Sequence, residues 1–265
     1  MSEMERLERP GCSLALWRSG GSGRSVVFLH GAGADHVMFD SQAEALAEQG
    51  HRTVLWDMRA HGLSRPNGTP ITAEMLIDDA EALIDELTPA ERPVLVGHSL
   101  GGNIAQQLVR RAPHRYAGLA VLDSTWNTGP LTWLERRLLR LAAPALALIP
   151  SASLPGMMAA ASAASEEARQ DLTRAFSQVP KREFLDIWKA TTAFVHPDAN
   201  YRTPVPLCLI RGAADRTGNI SKAMPAWAGF EGIEEHVVPD AGHVVTQDAP
   251  QAVSELLIRF LRAIE

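Results

Sequence analysis

A serine with a glycine two residues to either side, Gly97-x-Ser99-x-Gly101, ends the apolar run Val94-Leu-Val and opens a helical pattern. A serine on so sharp a strand-to-helix turn is forced into a strained backbone. The positions two before and two after it then come too close together to carry a Cβ. The helix N-terminus beneath the serine places partial positive charge where an oxyanion would form. Average glycine and serine usage produces such a pattern in about one chain of this length in ten. The information therefore lies in its setting after a buried strand and before a helix.

A serine hydroxyl becomes a good nucleophile only when a neighbouring base takes its proton, so a histidine must lie within reach. Of the nine histidines, His243 sits in Asp240-Ala-Gly-His-Val-Val, after the last strand pattern and before the final helix. That is the end of a parallel sheet at which ligands bind. The acid orienting the base should end an intervening strand, and Asp215 follows Leu207-Cys-Leu-Ile-Arg-Gly-Ala-Ala. Asp123 ends the preceding strand pattern and is the rival acid, read here as a loop-capping aspartate. Two backbone N–H groups must hold the oxyanion. Leu100, next to the nucleophile, supplies one, and Ala32 in the loop His30-Gly-Ala-Gly33 is the candidate for the other.

The elements that must position these groups are legible in the hydrophobic pattern. Strand-like runs are Ser13 to Arg18, Ser25 to His30, Arg52 to Asp57, Pro93 to His98, Ala117 to Asp123, Pro206 to Arg211 and Glu235 to Val238. Amphipathic helical patterns lie at Met38 to Gln49, Thr72 to Leu87, Leu100 to Arg111 and Pro250 to Ile264. Strand alternating with helix implies an α/β fold, a mostly parallel sheet flanked by helices on both faces. The rhythm breaks between Ser124 and Pro204, which hold helical patterns and no convincing strand. Residues 124–204 are therefore expected to form an inserted helical cap, with 1–123 and 205–265 as the core. Within the cap, Leu138 to Ile149 is too short to span a bilayer and reads as a packed helix.

Taken in order, five pieces resemble the α/β-hydrolase superfamily, specifically its single-domain serine hydrolases with a helical cap. They are His30-Gly-x-Gly33, Asp57-x-Arg59-x-His61-Gly62-x-Ser64, Gly97-His-Ser99-Leu-Gly-Gly102, Gly212-x-x-Asp215, and Gly242-His243 followed by Asp248-x-Pro250. The resemblance covers nearly the whole chain and implies a Ser99-His243-Asp215 triad working through an acyl-enzyme. It departs from the family pattern at Ala60, where many members have glycine, and at Thr217-Gly218, in place of a turn containing proline. The same triad in related families also supports C–C bond hydrolysis, lactone or thioester cleavage, perhydrolysis and elimination. A serine at the elbow speaks against haloalkane dehalogenase and epoxide hydrolase activity, since those relatives carry aspartate there.

Other residues could line the substrate pocket. His98 adjoins Ser99 but points to another side of the turn and reads as buried and structural, with pocket lining as its second reading. Trp126, Trp133, Met157, Met158 and Trp188 are pocket candidates that could equally be cap core. His30, Arg59 and His61 read as loop-fixing, and Arg136, Arg137 and Arg140 as a solvated helix face.

Bulk properties bound the partners. With 25 Lys plus Arg against 31 Asp plus Glu, the net charge is −6, which gives no general attraction to nucleic acid or to an anionic membrane. A diffusible small molecule is the expected partner, and the pattern leaves the oligomeric state open. The two cysteines, Cys12 and Cys208, each lie in a strand-like run and read as reduced core residues. Met1 to Pro10 holds no apolar segment of the secretory type, so the expectation is a cytoplasmic protein. No cofactor or metal is called for, because there is neither a CxxC nor a histidine pair at i, i+4. Two rival readings remain. Strand, Gly31-Ala-Gly33, helix and a strand ending in Asp57 imitate a dinucleotide-binding fingerprint, but His36 stands where a third small residue is needed. A non-catalytic binding module on the same scaffold would leave Ser99, Asp215 and His243 without purpose.

Overall fold

Eight strands form one sheet in the computed structural model, which describes residues 3–88 and 91–265, without the side chains of Arg136, Leu138 and Arg140. In chain order they are β1 (Glu5–Arg9), β2 (Cys12–Arg18), β3 (Ser25–Leu29), β4 (Arg52–Trp56), β5 (Val94–His98), β6 (Gly118–Leu122), β7 (Leu207–Gly212) and β8 (Glu235–Val238). Their spatial order is β1-β2-β4-β3-β5-β6-β7-β8. The two pairs that involve β2 are antiparallel and all others are parallel. Strands β3, β5 and β6 are buried at every position, the continuous apolar run that a sheet covered on both faces demands.

The helices are α1 (Asp40–Glu48), α2 (Ala73–Leu87), α3 (Leu100–Arg111), α4 (Trp133–Ala147), α5 (Leu154–Ser162), α6 (Glu166–Gln178), α7 (Lys181–Thr192), α8 (Ile220–Glu231), α9 (Val245–Asp248) and α10 (Pro250–Ala263). Side chains set several starts. Thr72 accepts from the Met75 N–H to open α2, Ser165 accepts from Ala168 to open α6, and Thr132 with Glu135 forms a capping box on α4. Helix α1 packs on α10 and α2 on α3. Right-handed crossovers put these pairs on opposite faces of the sheet.

Between β6 and β7 lie α4 to α7 and, among the described residues, no strand. Both ends of this segment are clipped together: the His196 N–H donates to the Asn127 carbonyl and the Asp198 N–H to that of Thr128, each at 2.8 Å. Arg174 on α6 reaches Asp35 in the loop after β3 at 2.7 and 3.0 Å.

Seven expected strands are present, and the structure adds β1, α8 and the single turn α9, which the pattern did not reveal. Strand β1 reads Glu-Arg-Leu-Glu-Arg, polar at every position but Leu7, because it is an edge strand held by its hairpin with β2. Helix α8 contains Pro225 and Gly229, which interrupt the amphipathic signal, although Met224 and Trp227 are fully buried. Helix α4 packs on α7 as expected, with Ala143 buried and Leu146 and the following Ile149 against the core, but its other face is open to solvent. Trp133, Leu134, Leu141 and, just beyond its end, Leu148 are exposed. Arg137 is exposed and lies 5.6 Å from the Trp133 ring, whereas the side chains of Arg136, Leu138 and Arg140 fall outside the described residues.

Candidate active site

Ser99 sits between β5 and α3 with φ 49° and ψ −115°, a conformation L-residues rarely adopt. The turn is possible because its neighbours lack side chains. A Cβ on Gly97 would meet the Gly101 carbonyl, and one on Gly101 would run into that of Leu29. The turn thus lifts Ser99 above the carboxyl end of β5.

His243 follows β8 and Asp215 follows β7, so the three groups converge at the same edge of the sheet. His243 Nε2 lies 3.1 Å from Ser99 Oγ, and His243 Nδ1 lies 3.1 Å from Asp215 Oδ2. With Nδ1–H donating to the carboxylate, Nε2 faces the serine as an acceptor. The other oxygen of Asp215 accepts from the Thr217 N–H at 2.7 Å. Burial pushes the Asp215 carboxyl up, but the His243 and Thr217 hydrogen bonds outweigh it and hold it below the usual carboxylate range. The Thr217-Gly218 turn, which departs from the family pattern, therefore still supplies a donor to the acid.

Asp123 occupies the same buried cluster. Its Oδ1 accepts from the Gly212 N–H at 2.9 Å, and it makes no hydrogen bond to His243. Burial, then the neighbouring Asp215, raises its pKa well above the carboxylate range. Ligand atoms of Asp123, Asp215 and His243 all lie within 4.8 Å of one another. As a cation site the set is poor, since burial and the neighbouring Asp215 disfavour the charged form of Asp123, and His243 and Asp215 are bonded to each other.

The loop after β3 is shaped by neutral imidazoles. His30 donates from Nδ1 to the Gly31 carbonyl at 2.8 Å, and its Nε2 accepts from the Met58 N–H at 2.9 Å. His61 donates from Nδ1 to the Arg59 carbonyl at 2.9 Å, and its Nε2 accepts from the Gly33 N–H at 3.0 Å. Burial lowers both, His30 to about 3. The Gly31 N–H is directed at Met38 Sδ, 3.5 Å away. Among the described residues this leaves the Ala32 N–H without an acceptor, between two that are engaged. The Leu100 N–H begins α3, where a helix has no internal acceptor to offer.

His98 donates from Nε2 to the His243 carbonyl at 2.7 Å, tying β5 to the loop that carries His243, and burial lowers it to about 3. Asp248 secures the other side of that loop. Its carboxylate accepts from the N–H groups of Gly242 (2.8 Å), Ala164 (2.9 Å) and Ser165 (2.8 Å), joining the His243 loop to the start of α6. Arg59 makes a bidentate pair with buried Asp79 at 2.6 and 2.8 Å, which anchors the 57–64 loop.

A cavity of about 580 Å³ opens over Ser99 and His243. Of the pocket candidates, His98, Met158 and Trp188 line it, and Ala32, the oxyanion-hole candidate, does so too. Trp126 is buried elsewhere, stacked 6.1 Å from Trp227, and Trp133 and Met157 are exposed to solvent. Helical spacing places a residue on a face but not against a particular neighbour, so the sequence does not separate pocket lining from other placements for these three. Leu172, Phe176 and Arg216 also line the cavity. The first two carry only an ordinary amphipathic-helix signal, and Arg216 was detectable only by its place next to the acid.

A family model described as "Alpha/beta hydrolase family" matches residues 26–256. Among curated relatives, the chain is 35% identical over 102 residues to an sn-1-specific diacylglycerol lipase from Mus musculus, covering 37% of this chain and 32% of that one. It is 33% identical over 110 residues to a non-heme haloperoxidase from Rhodococcus erythropolis, covering 41% and 40%. The chain spans between 28% and 40% of the length of the curated relatives it matches. A solved structure of a thermophilic esterase from Thermogutta terrifontis superposes with TM-score 0.80 at 22% identity over 99% of both chains, a likeness of fold.

Proposed function

The chain belongs to the α/β-hydrolase family, and on that premise we propose that it is a serine hydrolase cleaving a small carboxylic ester or related acyl compound through an acyl-enzyme. The observation that carries this reading is the continuous relay from Asp215 through His243 to Ser99 beside an N–H of Ala32 that no group among the described residues uses.

In this mechanism Ser99 Oγ attacks the acyl carbonyl carbon while His243 Nε2 takes its proton. The N–H groups of Leu100 and Ala32 hold the developing oxyanion. Protonated His243 then gives its proton to the departing alkoxide, leaving the acyl group on Ser99. Water, deprotonated by His243, attacks that ester, and collapse of the second tetrahedral species frees the acid and restores the serine hydroxyl. Asp215 stays ionised throughout and holds the imidazole in the productive tautomer. The helices of 124–204 act as a cap, whose Met158, Leu172, Phe176 and Trp188 would exclude water and favour apolar acyl groups.

A fluorophosphonate probe is the direct test, followed by a panel of esters, thioesters and lactones. Labelling of the wild type but not of Ser99→Ala, together with turnover of an ester, is the expected result. An unlabelled, folded wild type would overturn it and favour a binding module. Preference for lactone or thioester would keep the triad and reassign the substrate.

A further inference from the structure

The active-site cavity has one feature that apolar ester hydrolysis does not need. Of its lining residues, Arg216 is the sole Lys or Arg, and no Asp or Glu is among them, in a chain that carries 31 Asp plus Glu. Arg216 is exposed and, among the described residues, makes no hydrogen bond or ion pair. Other charged groups of the chain behave differently. Arg211 is paired with Glu235 at 2.7 Å and Arg174 with Asp35, while Asp215 is engaged by His243 and Thr217. A guanidinium is charged at every working pH and presents a planar fork of donors that matches a carboxylate. Much of the remaining wall is apolar, with Leu172, Phe176, Trp188 and several alanines. Because Arg216 is exposed, an ion pair formed there would weaken as salt rises.

From this we infer that Arg216 is a specificity-determining residue that binds an anionic group of the substrate, a carboxylate carried on the ester at a distance from the scissile bond. The inference rests on the serine-hydrolase reading and names the substrate class of that same site. Catalysis leaves the carboxylate unchanged. It pairs with Arg216, Ser99 takes the acyl group, and water releases the acid as before. A neutral ester of the same length would fill the same cavity and leave Arg216 solvated.

Two matched ester pairs test this. Mono-4-nitrophenyl glutarate against 4-nitrophenyl pentanoate puts the carboxylate on the acyl side, and 4-carboxyphenyl against 4-acetylphenyl pentanoate puts it on the alcohol side. The quantity read is the ratio of kcat/KM for anionic over neutral ester, in which differences in leaving-group reactivity cancel between variants. In at least one arm, Arg216→Gln should lower that ratio by about tenfold or more, with Arg216→Lys in between. Raising salt from roughly 0.05 to 0.5 M should lower the wild-type ratio as well, a readout that needs no variant to fold. A ratio within about twofold of wild type in both arms, or a wild-type ratio indifferent to salt, overturns the inference while leaving the hydrolase reading in place. A wild type that neither reacts with fluorophosphonate nor turns over any of these esters overturns both.

Discussion

Asp123 and Asp215 end adjacent parallel strands and lie in one buried cluster, but only Asp215 hydrogen-bonds the His243 imidazole. The difference lies in what each carboxyl finds. Asp215 meets two N–H donors, whereas Asp123 meets the Gly212 N–H and the like charge of Asp215. Asp215→Asn should therefore lower kcat by about 10³- to 10⁴-fold, because the amide stabilises the wrong tautomer. Asp123→Asn, which keeps an oxygen for Gly212, should cost less than about tenfold. Steady-state kinetics on one ester ranks the two, and the reverse order would move the acid to β6. The pKa of Asp123 is raised on folding, so the folded state binds the extra proton and stability falls as pH rises above the unfolded carboxylate value. Asp123→Asn should flatten that fall in thermal melts taken across the acid range.

The nucleophile can be separated from the fold. Ser99→Ala should remain folded, lose fluorophosphonate labelling and lose at least about 10³-fold in turnover. Ser99→Gly should be equally inactive but more stable than Ser99→Ala by about 1 kcal/mol, because glycine accepts φ 49°, ψ −115° without strain. Chemical denaturation of the two variants measures the difference, and equal midpoints would mean that the elbow is unstrained.

A second pH-dependent contact lies beside the oxyanion loop. His36 Nδ1 donates to Asp57 Oδ1 at 2.8 Å, and its ring stacks on Trp17 with centroids 3.6 Å apart. Burial alone would lower the imidazole, but the Asp57 hydrogen bond and charge outweigh it, and its pKa is raised above 6.5. The sign follows from linkage: the stabilisation is fully present below the unfolded value and is lost as pH rises through the folded one. His36→Gln should thus lower Tm more at pH 6 than at pH 8.5. An equal loss at both would show that the ion pair contributes nothing.

Much of this site was legible because it depends on short local patterns. Gly97-x-Ser99-x-Gly101 is a backbone requirement written in residue types, and the loops carrying His243 and Asp215 follow apolar runs that can only be buried strands. What stayed hidden depends on contacts distant in sequence. The Asp248 carboxylate bridges to Ala164 and Ser165, and Arg174 reaches Asp35, across stretches where the sequence shows only charges on a surface. Trp126 and Trp188 look alike as aromatics of the segment between β6 and β7, and only packing sends one against Trp227 and the other to the cavity. Helix α8 escaped notice for the opposite reason, since its local signal contains a proline that the fold tolerates.

Phe176 offers a test of how the cavity limits acyl length. Its ring lines the cavity over Ser99 and also a neighbouring one of about 190 Å³, where it meets Phe184 edge to face at 5.8 Å. It is thus the partition between them. In the wild type a series of 4-nitrophenyl esters should show kcat/KM rising from acetate to a maximum at intermediate acyl length, because apolar surface is buried until the chain reaches this wall. Phe176→Ala removes the partition and joins the two spaces, so the maximum should move to longer chains while the acetate rate changes little. Truncating a buried aromatic also costs stability, about 3 kcal/mol or more, so Phe176→Leu serves as the milder variant and should shift the maximum less. A maximum that stays at the same length in both folded variants would place the limiting wall elsewhere in the cavity, with Leu172 and Trp188 the next side chains to truncate.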